Sequence, residues 1–235
     1  MLEKFYQKMA LMESRKILYK IAIFLKSIFG EKDPGSLNFD FSNAPTRIEI
    51  AQRIIDLKNY RSYLEIGTFK DELFSKIKCE KKIGVDPFSG GNTRMTSDDF
   101  FKQNKEFFDV IFIDGKHEFN QCRNDAMNSL KCLNKNGIIL VHDCLPDCLS
   151  KQAVPRYRMT WNGDVWKAII EFRKLDYIEI HTCIIDQGIS IIQNKKNTNI
   201  LKINKEINKL KFKDFYYNYN SYMRTISLDE LKKKF

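Results

Sequence analysis

The chain is poor in glycine, proline and histidine: its 235 residues contain ten glycines, five prolines, three histidines and two tryptophans. No Gly-x-Gly-x-x-Gly run occurs, which argues against NAD or FAD, because a pyrophosphate must lie against bare backbone at a helix N-terminus. No apolar run reaches the ~20 residues of a membrane span. The longest candidate, Ile17 to Leu25, is broken by Lys20. The six cysteines, at 79, 122, 132, 144, 148 and 183, lack the spacing of a small disulfide scaffold and the close pairs of a zinc site. With no cleavable signal in view, they predict reduced thiols in a cytoplasmic protein.

What the chain does have is enough apolar material for a core, 43% against 30% charged. Its length suits one large domain with appendages: an N-terminal helical extension over 1–35, a main domain over 36–194 and a basic, aromatic tail over 195–235. The net charge of +10 sits at the two ends. Residues 1–30 carry 6 basic and 2 acidic groups and residues 195–235 carry 11 and 4, whereas 31–194 carry 23 and 24. A near-neutral middle speaks against nucleic acid as the substrate, although basic arms can supply phosphate affinity.

Function is concentrated between Phe107 and Pro146. Two four-residue apolar runs, Val110 to Ile113 and Ile138 to Val141, each end in acid and imidazole groups: Asp114-Gly115-Lys116-His117 and His142-Asp143. Short β-branched runs read as buried strands, and Glu118 to Leu133 has helical apolar spacing. The unit is strand, helix, parallel strand, with two of the three histidines at the strand ends, where open α/β sheets bind ligands. Turn aspartates and a capping histidine are the plainer alternative.

A second constellation precedes it. Pro45 to Lys58 reads as a helix, Tyr63 to Gly67 as a strand breaking into a glycine turn, Asp71 to Ile77 as the following helix, and Lys82 to Pro87 as a second strand ending in Asp86, 21 residues after Glu65. A carboxylate at that distance accepts from ribose hydroxyls. One glycine in the turn suits a nucleoside without phosphates, such as S-adenosylmethionine. Thr96 to Phe101 carries a helix N-cap signature with acids in the first turn, and Ser97 with Asp98, after a third strand end, could instead meet an adenine.

Elsewhere the reading concerns access and partners. Residues 3–29 form a predicted helix ending at Gly30, either a basic interfacial helix for a membrane surface or one packed on its own domain or a second copy. Cys148 to Arg158 is expected to be a mobile loop over the site, followed by Trp161 to Lys167, which leads into a helix to about Lys174. The segments Tyr177 to Ile184 and Ile189 to Ile192 form a terminal hairpin. Trp161 and Trp166 stack on a substrate ring or pack in the core. The tail aromatics, Phe212 to Tyr222, dock on the domain and leave their lysines solvated, or bind single-stranded nucleic acid.

Taken in order, Leu64-Glu65-Ile66-Gly67, Val85-Asp86-Pro87, Thr96 to Phe101, Phe112 to His117 and Gly137 to Asp143 resemble class I S-adenosylmethionine-dependent methyltransferases. The group in view holds the macrolide-sugar and bacterial glycan O-methyltransferases, and Gly163-Asp164-Val165-Trp166-Lys167 also matches it. The resemblance spans about Tyr63 to Ile192. It implies a Rossmann-like, mostly parallel seven-stranded α/β sheet with helices on both faces. It further implies cofactor contacts from Glu65, Ile66, Gly67 and Thr68 at the methionine end, Asp86 and Pro87 at the ribose, Ser97 and Asp98 at the adenine, and Asp114. Relatives hold a divalent metal on acids that map onto Asp114 and Asp143. Here His142 stands where a third acid is expected, an unusual donor for Mg²⁺.

Methyl transfer to a hydroxyl requires an aligned acceptor and removal of a proton. His117 is the candidate general base, with Asp114, His142 and Asp143 orienting it or chelating metal and acceptor together. A sugar or other small hydroxylated acceptor is the leading substrate. A nucleic-acid methyltransferase is the enzymatic alternative, although the Asn/Asp-Pro-Pro-aromatic run associated with amine methylation is missing at Asp114. A noncatalytic binding module is the third.

Overall fold

The computed structural model describes residues 31–41, 45–156 and 158–234. The helix expected over 3–29, and the membrane or second-copy contact assigned to it, lie outside the described residues. Strand β1 (Ser62–Ile66) is buried along its whole length, as expected where helices cover both faces of a parallel sheet. Its side chains alternate between two core layers: Leu64 and Ile66 face one and Tyr63 the other. β2 (Lys81–Val85) and β3 (Phe108–Ile113) pair with β1 in parallel on either side, and β4 (Leu133–Val141) continues in parallel from β3. β5 (Ile178–Cys183) and β6 (Ile189–Asn194) form a hairpin whose second strand runs antiparallel to β4. β7 (Thr225–Ile226) adds two residues in parallel to β5.

The sheet order is β2-β1-β3-β4-β6-β5-β7, the expected seven-stranded, mostly parallel Rossmann-like architecture. Chain direction reverses around β1, so the ligand crevice of such a sheet opens beyond the carboxyl ends of β1 and β3. Two local expectations fail. After β2 there is no third strand, only a single parallel bridge between Val85 and Thr93; the seventh strand comes from the tail. Asp71 to Ile77 is a run of turns and not a helix. Phe69 and Asp71 both have positive φ, 46° and 61°, so the chain enters the segment in a conformation that cannot propagate a right-handed helix.

Each face of the sheet is covered by short amphipathic helices. α1 (Arg47–Lys58) begins at the N-cap Thr46, whose backbone N–H donates to Glu49 Oε2 at 2.7 Å, and buries Ile50, Ala51, Ile54 and Ile55. α2 (Ser97–Gln103) is capped by Thr96 Oγ1, which accepts from Asp99 N. α3 (Phe119–Lys131) covers the opposite face from α1, and the expected lid contains one helical turn, α4 (Leu149–Gln152). α5 (Trp166–Phe172) inserts Trp166 into the core.

The tail folds as α6 (Phe212–Met223), β7 and α7 (Leu228–Lys234). Phe212 and Phe215 are fully buried, and Phe215 lies 5.0 Å from the Trp166 ring. The buried Arg173 guanidinium ties this segment down, donating to Asn199 O at 2.7 Å, Asn199 Oδ1 at 2.9 Å and Ser221 O at 3.3 Å. Glu31 caps α6 by accepting from Phe212 N and Lys213 N. Among the described residues no helix is long and apolar enough to cross a membrane.

Candidate active site

Four segments meet beyond the strand ends: the first residue of α1, the ends of β3 and β4, and the β5–β6 turn. Asp114 follows β3, and its backbone N–H donates to Ile66 O, which locks it beside the glycine turn. That turn has room for glycine alone: Gly67 has φ +89°, and a Cβ there would fall 2.3 Å from Asp114 O. His142 and Asp143 follow β4, and Asp143 takes the left-handed conformation, φ 60°.

His117 is the hub. Its Nε2 stands 3.2 Å from Asp114 Oδ1 and its Nδ1 3.0 Å from Asp143 Oδ2. Nδ1 also lies 3.0 Å from Trp161 O, and the Trp161 indole stacks on the imidazole at 5.3 Å between centroids. His142 Nδ1 meets Asp114 Oδ1 at 3.2 Å, while its Nε2 faces Asp186 Oδ1 at 3.5 Å. All four predicted catalytic residues are therefore brought together.

The charges balance in threes: Asp114, Asp143 and Asp186 against His117, His142 and Arg47. Burial alone would lower His117, but the Asp143 and Asp114 carboxylates outweigh it and raise the imidazole to about 10. His142 is likewise held well above its ordinary value, against its burial, by Asp143 and Asp114. Burial would raise Asp114, yet His142 and His117 hold it well below the carboxylate range. Asp186 falls to about 2, against its burial, through His142 and Arg47. At neutral pH His117 is thus an imidazolium, a proton holder while both carboxylates face it.

Three features of this cluster were not read from the sequence. Arg47 donates its backbone N–H to Asp186 Oδ2 at 2.7 Å and points its guanidinium at Asp186 and Asp114, 3.5 and 3.9 Å away. Asp186 lies in a hairpin turn, where an acid is unremarkable by type. Asn162, 1% exposed, donates from Nδ2 to Asp143 Oδ1 at 2.9 Å. With it, the Asn-Gly-Asp-Val-Trp segment acquires a physical meaning. Asn162 holds Asp143, Gly163 packs on the His117 backbone, Asp164 Oδ1 accepts from the N-terminal N–H of α3 at Phe119, and Trp166 anchors the segment in the core.

The predicted cofactor residues lie at three other points along the same edge. Glu65 is buried beneath the turn and accepts from Tyr63 Oη at 2.6 Å; burial raises it to about 8 despite that bond. Asp86 is a loop organiser: Oδ1 accepts from Phe88 N and Ser89 N, and Oδ2 from Phe69 N. Thr68 is buried with Oγ1 toward Ser89 O, Ile66 is buried in the sheet, and Pro87 is exposed. Ser97 and Asp98 do not join the His117 cluster. They accept from Gln121 Nε2, both at 3.2 Å, beside Asp125, a buried acid that burial raises to about 6 against its bonds to Ser97 and Gln121. Asp125 was legible in principle, being the one acid among the buried residues of α3.

Asp114, His117 and Asp143 each offer a ligand atom within 4.8 Å of one another. The third member of that set is His117, while His142, expected there from the sequence, turns toward Asp186. Two carboxylates and an imidazole fit a divalent transition metal such as Mn²⁺ better than Mg²⁺.

Comparison with known proteins places the middle of the chain. Residues 81–144, from β2 to just past β4, match the family described as Methyltransferase domain. A putative O-methyltransferase from Klebsiella pneumoniae aligns over 76% of this chain and 97% of its own, with a TM-score of 0.50 and 12% identity. An O-methyltransferase from Bacillus cereus, solved with SAH, aligns over 83% and 100%, with 0.49 and 11%. MycE of the mycinamycin biosynthetic pathway, solved with Mg, SAH and mycinamycin VI, aligns over 67% and 51%, with 0.43 and 13%. No curated protein matches the sequence. At these identities the similarity is one of fold, and the segment matched by the family carries Asp86, Asp114, His117, His142 and Asp143.

Proposed function

We propose that this chain, which carries a methyltransferase-domain segment on a methyltransferase fold, is an S-adenosylmethionine-dependent O-methyltransferase acting on a hydroxyl of a sugar or another small acceptor of glycan assembly. The observation that carries the reading is the convergence of Asp114, His117 and Asp143 beside the Gly67 turn. The residues present fit the cofactor. Asp86 spends three acceptor positions on backbone N–H groups and keeps one, on Oδ2, for a ribose hydroxyl. Glu65 is a buried carboxyl with a hydroxyl partner and, among the described residues, no salt bridge, suited to the methionyl ammonium. Ser97, Asp98, Gln121 and Asp125 form an amide and acid group able to meet a purine edge.

Asp114, His117 and Asp143 would hold a divalent ion, which when bound lowers the pKa of an acceptor hydroxyl. The chain's own part is alignment and proton handling. Asn162 fixes Asp143, and Trp161 fixes the plane of the His117 ring. Without the ion, His117 is the group that can take the hydroxyl proton instead, at the Nε2 that faces Asp114, once one flanking carboxylate is protonated or engaged by the acceptor and the imidazole returns toward neutrality. The near-neutral surface of 31–194 favours a small acceptor over nucleic acid. A cytoplasmic protein with a membrane surface or a second copy against its basic ends completes the proposal.

The test is transfer of a labelled methyl group from S-adenosylmethionine to a panel of sugars and nucleotide sugars, with and without Mn²⁺. His117→Ala should lose turnover while keeping cofactor affinity by calorimetry. Full turnover in that variant removes His117 from the chemistry, and no cofactor binding by the unaltered protein removes the reading itself.

A further inference from the structure

We propose that Arg47 binds the α-carboxylate of S-adenosylmethionine, across the methionyl group from the ammonium already assigned to Glu65, an inference that rests on the methyltransferase reading above. The argument begins with what the glycine turn lacks. Backbone N–H groups of a glycine-rich turn can hold an anionic ligand group. Here the turn has one glycine, and the Phe69 N–H is already given to Asp86 Oδ2 at 3.0 Å. A ligand carboxylate at this turn needs another donor.

Arg47 stands where that donor is needed. Its main chain is pinned by the 2.7 Å bond from its N–H to Asp186 Oδ2. Its Nε lies 3.9 Å from Asp114 Oδ2, on the residue whose carbonyl abuts Gly67. Through α1 it belongs to the same side of the sheet as Tyr63 and Glu65, and its charge is felt at the Glu65 carboxyl.

Its donors are also underused. A guanidinium carries five N–H donors and favours two parallel bonds to one carboxylate. Arg47 instead touches three carboxylates at single points: Glu72 at 3.2 Å, Asp186 at 3.5 Å and Asp114 at 3.9 Å. Its Nε is buried without a hydrogen-bond partner. The Glu72 side chain is 66% exposed, so it can yield its place at little cost. Glu65 complements this as a buried acid that accepts from the Tyr63 hydroxyl at 2.6 Å. One guanidinium with a spare edge and one buried acid that forms no salt bridge among the described residues, and that gives up its proton to solvent as an ammonium takes its place, match the two charges of an amino acid.

The experiment compares two ligands on the full chain by calorimetry: S-adenosylmethionine, and decarboxylated S-adenosylmethionine, which lacks only the α-carboxylate. The unaltered protein should prefer the first by roughly tenfold or more, the scale of a charge-assisted pair. Arg47→Met should bring the two affinities to within about threefold by weakening the first alone, and Arg47→Lys, which keeps the charge but loses the fork, should fall between. Thermal melts of the unliganded variants report folding independently. An unchanged preference in Arg47→Met, or an equal loss for both ligands, overturns the assignment of Arg47 and leaves the methyltransferase reading standing. Binding of neither ligand by the unaltered protein overturns both.

Discussion

Gly163 packs directly on the main chain of His117: a Cβ built on it would stand 1.6 Å from His117 O, and its φ is +65°. The residue is held to glycine by its conformation and by its neighbour together. Gly163→Ala should therefore destabilise the fold by at least about 2 kcal/mol and displace His117, lowering methyl transfer more than cofactor affinity. Urea unfolding with calorimetry checks both, and a variant of native stability would show that the 161–164 segment can move away from His117.

The acids and imidazole around that point should prefer a transition metal. Mn²⁺ is expected to raise the melting temperature more than Mg²⁺ at equal concentration, and Asp143→Asn to remove the shift. The shift should shrink as pH falls, because the ligand atoms must shed protons to bind. An equal shift in Asp143→Asn would place the ion elsewhere.

Glu65 sets a pH dependence of stability. Its folded value of about 8 lies above its ordinary 4.5, so between these pH values the native state binds the extra proton and stability falls as pH rises, by up to about 1.4 kcal/mol per unit. Below pH 4.5 and above pH 8 this contribution is flat. Glu65→Gln should flatten the window between and be the more stable protein at pH 7.5, measured by denaturant unfolding across pH. A parallel pH profile in the variant would remove Glu65 as the source.

Asp164 caps a helix to which it does not belong, since its Oδ1 accepts from Phe119 N at 2.7 Å. Asp164→Ala should cost about 0.5–2 kcal/mol, the range for a lost N-cap. The slowest-exchanging amides of β1 should keep their relative protection by hydrogen exchange, while those of the first turn of α3 lose theirs.

Arg173 holds the 195–234 segment through main-chain carbonyls. Arg173→Met removes the donor to Asn199 O and Ser221 O, both on residues that water reaches, and should cost about 1–2 kcal/mol. Limited proteolysis should then cut within 195–211 sooner than in the unaltered protein. Cleavage at unchanged rates would show that the aromatic packing of Phe212 and Phe215 suffices.

The strands that position the site were legible because their apolar runs are short, β-branched and end in functional groups, as at Ile113-Asp114 and Val141-His142. Asp114, His117, His142 and Asp143 could be grouped because the strand-end rule brings neighbouring parallel strands to one edge. Arg47 and Asp186 could not, since Arg47 lies 67 residues before Asp114 and Asp186 lies 43 residues after Asp143, in a turn whose packing the sequence does not specify. Their partnership is a matter of which helix end meets which hairpin. The helix that apolar spacing predicts over Asp71 to Ile77 does not form, because that spacing carries no information on the positive φ values at Phe69 and Asp71. The protonation of His117 was likewise out of reach, for residue type gives its ordinary pKa and only geometry supplies two flanking carboxylates.

The short β7 has a consequence for assembly. By pairing with Thr182 and Cys183 it occupies the end of the β5 margin, where unpaired N–H and C=O groups would otherwise recruit a neighbouring chain. At the opposite margin β2 offers only five residues and begins with Lys81-Lys82, a charged and brief template. Among the described residues, growth of the sheet from one molecule into the next is disfavoured at both borders.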